Sequence, residues 1–145
     1  MTQVAFHFNA ADKTAYTCRL LRKAAGLGAR VAVTGEPEEL RQLDVALWTF
    51  SALEFVPHCR GDAPDSVRQA SPIVLAMENQ QVPDAGVLVH LGGAPPEGFE
   101  RFEKMIEVVG LGESDRQEAR QRWKLYAGQG HQLVHHDVAP KGPSE

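Results

Sequence analysis

The sequence predicts an α/β fold: a single domain whose mostly parallel sheet is flanked by helices. Three observations predict it. The stretch from Val4 to Thr34 reads as strand, helix and strand, a β-α-β unit. Pro72-Ile73-Val74-Leu75-Ala76 and Gly86-Val87-Leu88-Val89-His90-Leu91 are short apolar runs of the kind that fill the middle of a parallel sheet. A chain of 145 residues is long enough for one real core and too short for two ordinary ones. The domain is expected to span 1–138. Pro140, Gly142 and Pro143 mark 139–145 as a disordered tail.

In chain order, Val4 to Phe8 alternates loosely and ends at Asn9, which predicts a first strand. A helix over 12–25 follows, capped near Asp12, with Ala15, Cys18, Leu21, Arg22 and Ala25 near one face. Gly26 and Gly28 close it, and Ala29 to Thr34 resumes as a strand. These glycines end a helix instead of opening one, the reverse of a dinucleotide fingerprint. Glu36-Pro37-Glu38-Glu39 starts a second helix, with Leu40, Leu43, Leu47 and Trp48 able to face the sheet. From Thr49 to Ser71 the pattern is irregular, and Trp48, Phe50 and Phe55 cluster at its start as either a satellite core or an anchor patch for a partner. After the two apolar runs come Gly92-Gly93-Ala94-Pro95-Pro96, a short helix through Phe99 and Phe102 that can extend to Met105, and an edge strand at Ile106 to Val109. The strand-Gly-Gly-helix junction is the best phosphate-loop candidate. It lacks the Gly-Lys-Ser/Thr ending of a P-loop, and its prolines remove two backbone donors.

The last helix, Ser114 to Tyr126, is where charge, aromatic surface and helical spacing converge. Ser114 is its expected N-cap, and Gly128 and Gly130 stand just past its end. Arg116, Arg120 and Trp123 fall at i, i+4 and i+7, with Lys124 at the edge of the same stripe. Ala119, Arg122 and Tyr126 form another stripe, and Ala119, Leu125 and Tyr126 are expected to supply the apolar contact with the body. Between Arg116 and Lys124 four cations face one anion, Glu118, a local +3 on a chain of formal net charge −4. A basic, aromatic-bearing face on an acidic protein suits an anionic, partly apolar ligand.

The acidic balance argues against a surface that grips nucleic acid as a whole. No apolar run approaches the roughly 18–20 residues that cross a bilayer, the amino terminus lacks the pattern of a signal peptide, and Cys18 and Cys59 form no disulfide framework. A cytoplasmic protein is expected, with no membrane contact. His131, His135, His136 and Asp137 allow a thin metal hypothesis, and a solvated, mobile cluster is the simpler reading. His7 and His90, in expected strands, read as hydrogen-bonded structural histidines. No Ser/His/Asp or Cys/His arrangement can be assembled from the spacing and no pair of carboxylates stands out as an acid/base couple, so the sequence offers no catalytic set, and no metal or cofactor is expected.

The motif Ala46-Leu47-Trp48, the downstream Phe55-Val56-Pro57-His58, the strand-to-Pro95-Pro96 junction, the Ile106-Glu107-Val108-Val109 run and the helix Arg120 to Tyr126, in this order, resemble the chi subunit of bacterial DNA polymerase III holoenzyme. The resemblance covers Val4 to about Val138. It implies a nucleotide-binding-like, Rossmann-like fold without a bound nucleotide, and an accessory subunit in DNA replication with no catalysis or cofactor of its own. It implies two partners: the psi subunit of the clamp loader, facing Trp48 and Phe55, and the acidic C-terminal tail of single-stranded DNA-binding protein. Arg120 matches the key arginine of the tail site, Arg116 stands where the family has a lysine, Lys124 follows directly, and Trp123 occupies a tyrosine position. DNA contact would then be mainly indirect. A helicase using the aromatic patch in place of psi is an alternative partner. The rival reading from another class is a nucleotide-binding enzyme with a phosphate site at Gly92-Gly93; a third is a direct single-strand binder stacking bases on Trp123.

Overall fold

The computed structural model describes residues 2–49, 58–60, 73–75, 86–96 and 98–139. Phe50, Phe55 and the rest of the irregular stretch up to Ser71, apart from 58–60, lie outside them, as do the last six residues and the side chains of 49 and 58–60. Seven strands form one sheet: β1 (Gln3–Ala10), β2 (Val31–Thr34), β3 (His58–Arg60), β4 (Ile73–Leu75), β5 (Val87–His90), β6 (Lys104–Gly110) and β7 (Gln132–Asp137). Their order is β3-β4-β2-β5-β6-β1-β7, and each neighbouring pair is parallel. Among the described residues three helices cover it: α1 (Lys13–Gly26), α2 (Pro37–Thr49) and α3 (Glu113–Gly128). The expected α/β architecture is the observed one.

Helices α1 and α2 pack on one face, where Cys18, Leu21, Leu40, Leu43 and Leu47 bury against Val31, Val33, Ile73, Leu75, Val89 and Val108. The Asp12 carboxylate accepts from the Ala15 amide at 3.0 Å and caps α1 as the sequence predicts. Gly28, at φ +84, lets the chain reverse after α1 while the Ala29 amide donates to Ala24. The other face carries Val4, Phe6, Ala32, Leu88, Met105 and Val109 beneath Ala119 and Tyr126 of α3, with Phe99 and Phe102 closing one side.

Several expectations are corrected. Trp48 does not face the sheet: it is 60 % exposed, while Leu40, Leu43 and Leu47 fill the α2 face. The short helix at Phe99 is a single 3-10 turn, Phe99–Arg101, and Met105 already belongs to β6. The strand around Ile106 is central instead of an edge, paired with both β5 and β1. Its charge, Glu107, is fully buried because α3 supplies its partners. The run from Gln132 to Asp137 is no mobile cluster but strand β7, in register with β1 from Gln3↔Gln132 to Phe8↔Asp137. Histidines and an aspartate suit its mostly exposed residues, since polar side chains on an edge strand discourage pairing with other chains.

Candidate binding groove on the last helix

The site begins with β1. Val4, Phe6 and Phe8 alternate toward α3, and then the pattern breaks at Asn9, whose φ of +68 lies in the left-handed region that asparagine tolerates. The β1–β6 register shifts between His7 and Ala10. This bulge brings the Asn9 side chain to the same side as Phe8 and sends Ala10 into the opposite core. Asn9 then ties three elements together. Its Oδ1 accepts from Arg116 Nη2 of α3 at 2.7 Å, and its Nδ2 donates to Asp137 of β7 at 3.1 Å.

Between α3 and the β1–β7 ribbon lies a groove of about 650 Å³ lined by Phe6, Phe8, Asn9, Val109, Arg116, Ala119, Arg120, Trp123, Lys124 and His135. All four residues expected on the basic face, Arg116, Arg120, Trp123 and Lys124, line this one groove. Trp123 is half-buried with its ring edge-on to Phe6 at 5.1 Å and 5.9 Å from His135, so the indole is a fixed wall. Arg120 is loosely held, 3.9 Å from Glu113 with both side chains about two-thirds exposed. Among the described residues neither Arg116 nor Lys124 has a carboxylate partner. The chemistry on offer is three cations at the rim of an aromatic floor.

The local charge of +3 survives with a different membership. Arg122 is 3 % exposed and leaves the surface count, and Glu118 lies on the other flank of α3 beside Gln121 and Leu125. Leu125, expected to pack on the body, is 45 % exposed; Ala119 and Tyr126 are buried as expected, and Trp123 takes the place of Leu125 through its contact with Phe6. Ser114 is not the N-cap either. Gly112 is, without a side-chain bond, and Asp115 anchors the turn by accepting from the Gly110 amide at 2.7 Å and pairing with Lys13 at 3.1 Å.

Sequence reasoning missed the buried polar network behind the groove. Arg122 Nε donates to both Glu107 oxygens at 3.0 and 3.1 Å, its Nη1 donates to the Gly93 carbonyl at 3.0 Å, and the Tyr126 hydroxyl donates to Glu107 Oε2 at 2.7 Å. Burial pushes the Glu107 carboxyl up to about 7 against the pull of Arg122 and the Tyr126 bond. Neighbouring strands place Thr34, His90, Glu107, Phe6 and His135 in one row across the sheet. The groove floor is therefore the continuation of the polar row. The signal was present: a glutamate inside the apolar run Met105 to Gly110 must find a cation nearby.

The Gly92-Gly93 turn does not look like an anion cradle. A Cβ at Gly93 would stand 2.3 Å from Glu36 Oε1, and one at Gly92 3.2 Å from Glu39 Oε1. Two carboxylates thus occupy the space where a phosphate would sit, and both cations beside the turn are already engaged, Lys13 with Glu39 at 2.8 Å and with Asp115, and Arg122 with Glu107. Among the described residues no group of three or more metal-ligating side chains converges, the histidines of β7 included.

The family model for the DNA polymerase III chi subunit, HolC, matches residues 1–134. The chain belongs to the DNA polymerase III chi subunit family. It is 29 % identical over 141 residues to DNA polymerase III subunit chi of Pseudomonas aeruginosa, covering 94 % of this chain and 96 % of that protein. It is also 29 % identical over 119 residues to DNA polymerase III subunit chi of Escherichia coli, covering 80 % and 79 %. Membership in the chi family places the chain among the subunits of a replicative polymerase. The elements that form the groove on α3 lie inside the matched region apart from the last residues of β7, His135 among them. No helix among the described residues is long and apolar enough to cross a membrane.

Proposed function

We propose that this chi-family protein is a non-catalytic, cytoplasmic bridge that docks the acidic C-terminal tail of single-stranded DNA-binding protein in the α3 groove and meets the clamp loader through psi. What supports the first half is one observation: Arg116, Arg120, Trp123 and Lys124 line a single groove with an aromatic floor. A tail ending in Pro-Phe with a free carboxylate needs a guanidinium for the carboxylate, an apolar wall for the phenyl ring and a positive field for the preceding aspartates. Arg120, Trp123 with Phe6, and Arg116 with Lys124 fill these three roles. Contact with DNA is then indirect. The psi half rests on Trp48, exposed on α2 beside the equally exposed Val45, with Phe55 as its companion in sequence.

The test is binding of a peptide ending in Asp-Ile-Pro-Phe to the wild-type protein and to Arg120→Ala at two salt concentrations. Losing the carboxylate partner is expected to weaken binding by roughly 2–5 kcal/mol, and an amidated peptide should fail in the same way. Absence of binding by the wild type at low salt would refute the tail reading.

A further inference from the structure

Helix α3 has an unusual interface with the sheet. Its buried residues are Ala119, Arg122 and Tyr126, of which only Ala119 lacks a polar group. A helix without a broad apolar stripe has little greasy surface to define its rotation. Successive side chains project roughly 100° apart, so Arg122 and Trp123 point to different neighbours, Glu107 and Phe6, on adjacent strands. A modest rotation would degrade apolar contacts gradually, but it would break the directional bonds outright. Replacing a buried ion pair whole by apolar groups of similar volume is often neutral or stabilising, so the network is not needed for stability alone.

We propose that Glu107, Arg122 and Tyr126 are positioning residues for the groove: their buried bonds fix the rotation of α3 and thereby hold Arg120, Trp123 and Lys124 over Phe6 and His135. The affinity arm of the test rests on the tail reading above; the spectroscopic arm does not.

The test replaces the network by apolar groups of similar size, Glu107→Leu with Arg122→Met and Tyr126→Phe, and compares it with the single Tyr126→Phe variant. The indole N–H resonance of Trp123 and its ring contacts with Phe6 are followed by NMR, with Trp48 as internal reference, and peptide binding is measured alongside. The expected triple variant is folded and melts at or above the wild-type temperature. Its Trp123 resonance is broadened or multiple, and its peptide binds roughly tenfold more weakly. Tyr126→Phe, which keeps the Arg122 pair, shows the same changes to a smaller degree and decides the matter if the triple variant does not fold. A single sharp Trp123 resonance with intact Phe6 contacts in the folded triple variant, or in Tyr126→Phe if the triple variant does not fold, would overturn the proposal. If the wild type binds no peptide, the tail reading falls and the Trp123 readout still decides the positioning role.

Discussion

His90 and Glu107 are register partners on β5 and β6, and burial moves their protonation in opposite senses. His90 is held down to about 3, chiefly by burial and then by Arg122, and its Nδ1 shares a 2.8 Å hydrogen bond with Thr34. Glu107 is pushed up to about 7. The folded state therefore binds fewer protons than the unfolded chain at His90 and more at Glu107. Stability from neutral His90 is present above the unfolded value of 6.5 and is lost as pH falls from there toward 3. Glu107 contributes with the other sign, gaining as pH falls from about 7 toward 4.5. His90→Asn isolates the histidine. Its stability deficit relative to wild type should shrink by about 2 kcal/mol between about pH 7 and pH 5, measured by urea unfolding. An unchanged deficit would mean that His90 is not kept neutral by the fold.

At the scale of the element, α3 carries two arginines two positions apart with opposite duties. Arg120 is about two-thirds exposed and Arg122 is buried against Glu107. Arg122→Met strands a buried carboxylate and should cost roughly 3–5 kcal/mol. Arg120→Ala should stay within about 0.5 kcal/mol of wild type in stability while losing the peptide. Equilibrium unfolding of both variants separates the duties. The groove face was legible because a stripe of Arg116, Arg120, Trp123 and Lys124 needs only helical geometry to assemble. The role of Arg122 was not, since residue type alone cannot tell a paired core arginine from a surface one. Only the Glu107 strand, three-dimensionally next to it, makes the distinction. Strand β7 was missed for a related reason: on a sheet edge with one partner its sequence is polar, and the apolar periodicity that marks β4 and β5 is absent.

Across the whole molecule, the groove joins parts of the chain that are remote in sequence. Val4 pairs with Met105 on one side and Leu133 on the other. Removing residues 132–145 should therefore damage more than a tail. It uncovers one edge of β1 and deletes His135 and the Asp137 bond to Asn9. At about 1 kcal/mol net per hydrogen bond, the shortened chain should melt well below the full one, self-associate through the opened edge, and lose peptide binding. Thermal unfolding and sedimentation would test this, and a truncated chain that stays monomeric with wild-type melting would contradict it. The order of assembly carries a further consequence. Strand β1 is made first, yet both of its neighbours arrive about a hundred or more residues later, and such distant pairings form slowly. Until they do, Val4, Phe6 and Phe8 form an apolar segment without its native cover, a natural target for chaperones and for misassociation between nascent chains. The groove is thus a late product of folding, and its presence reports that β1 and β7 have met.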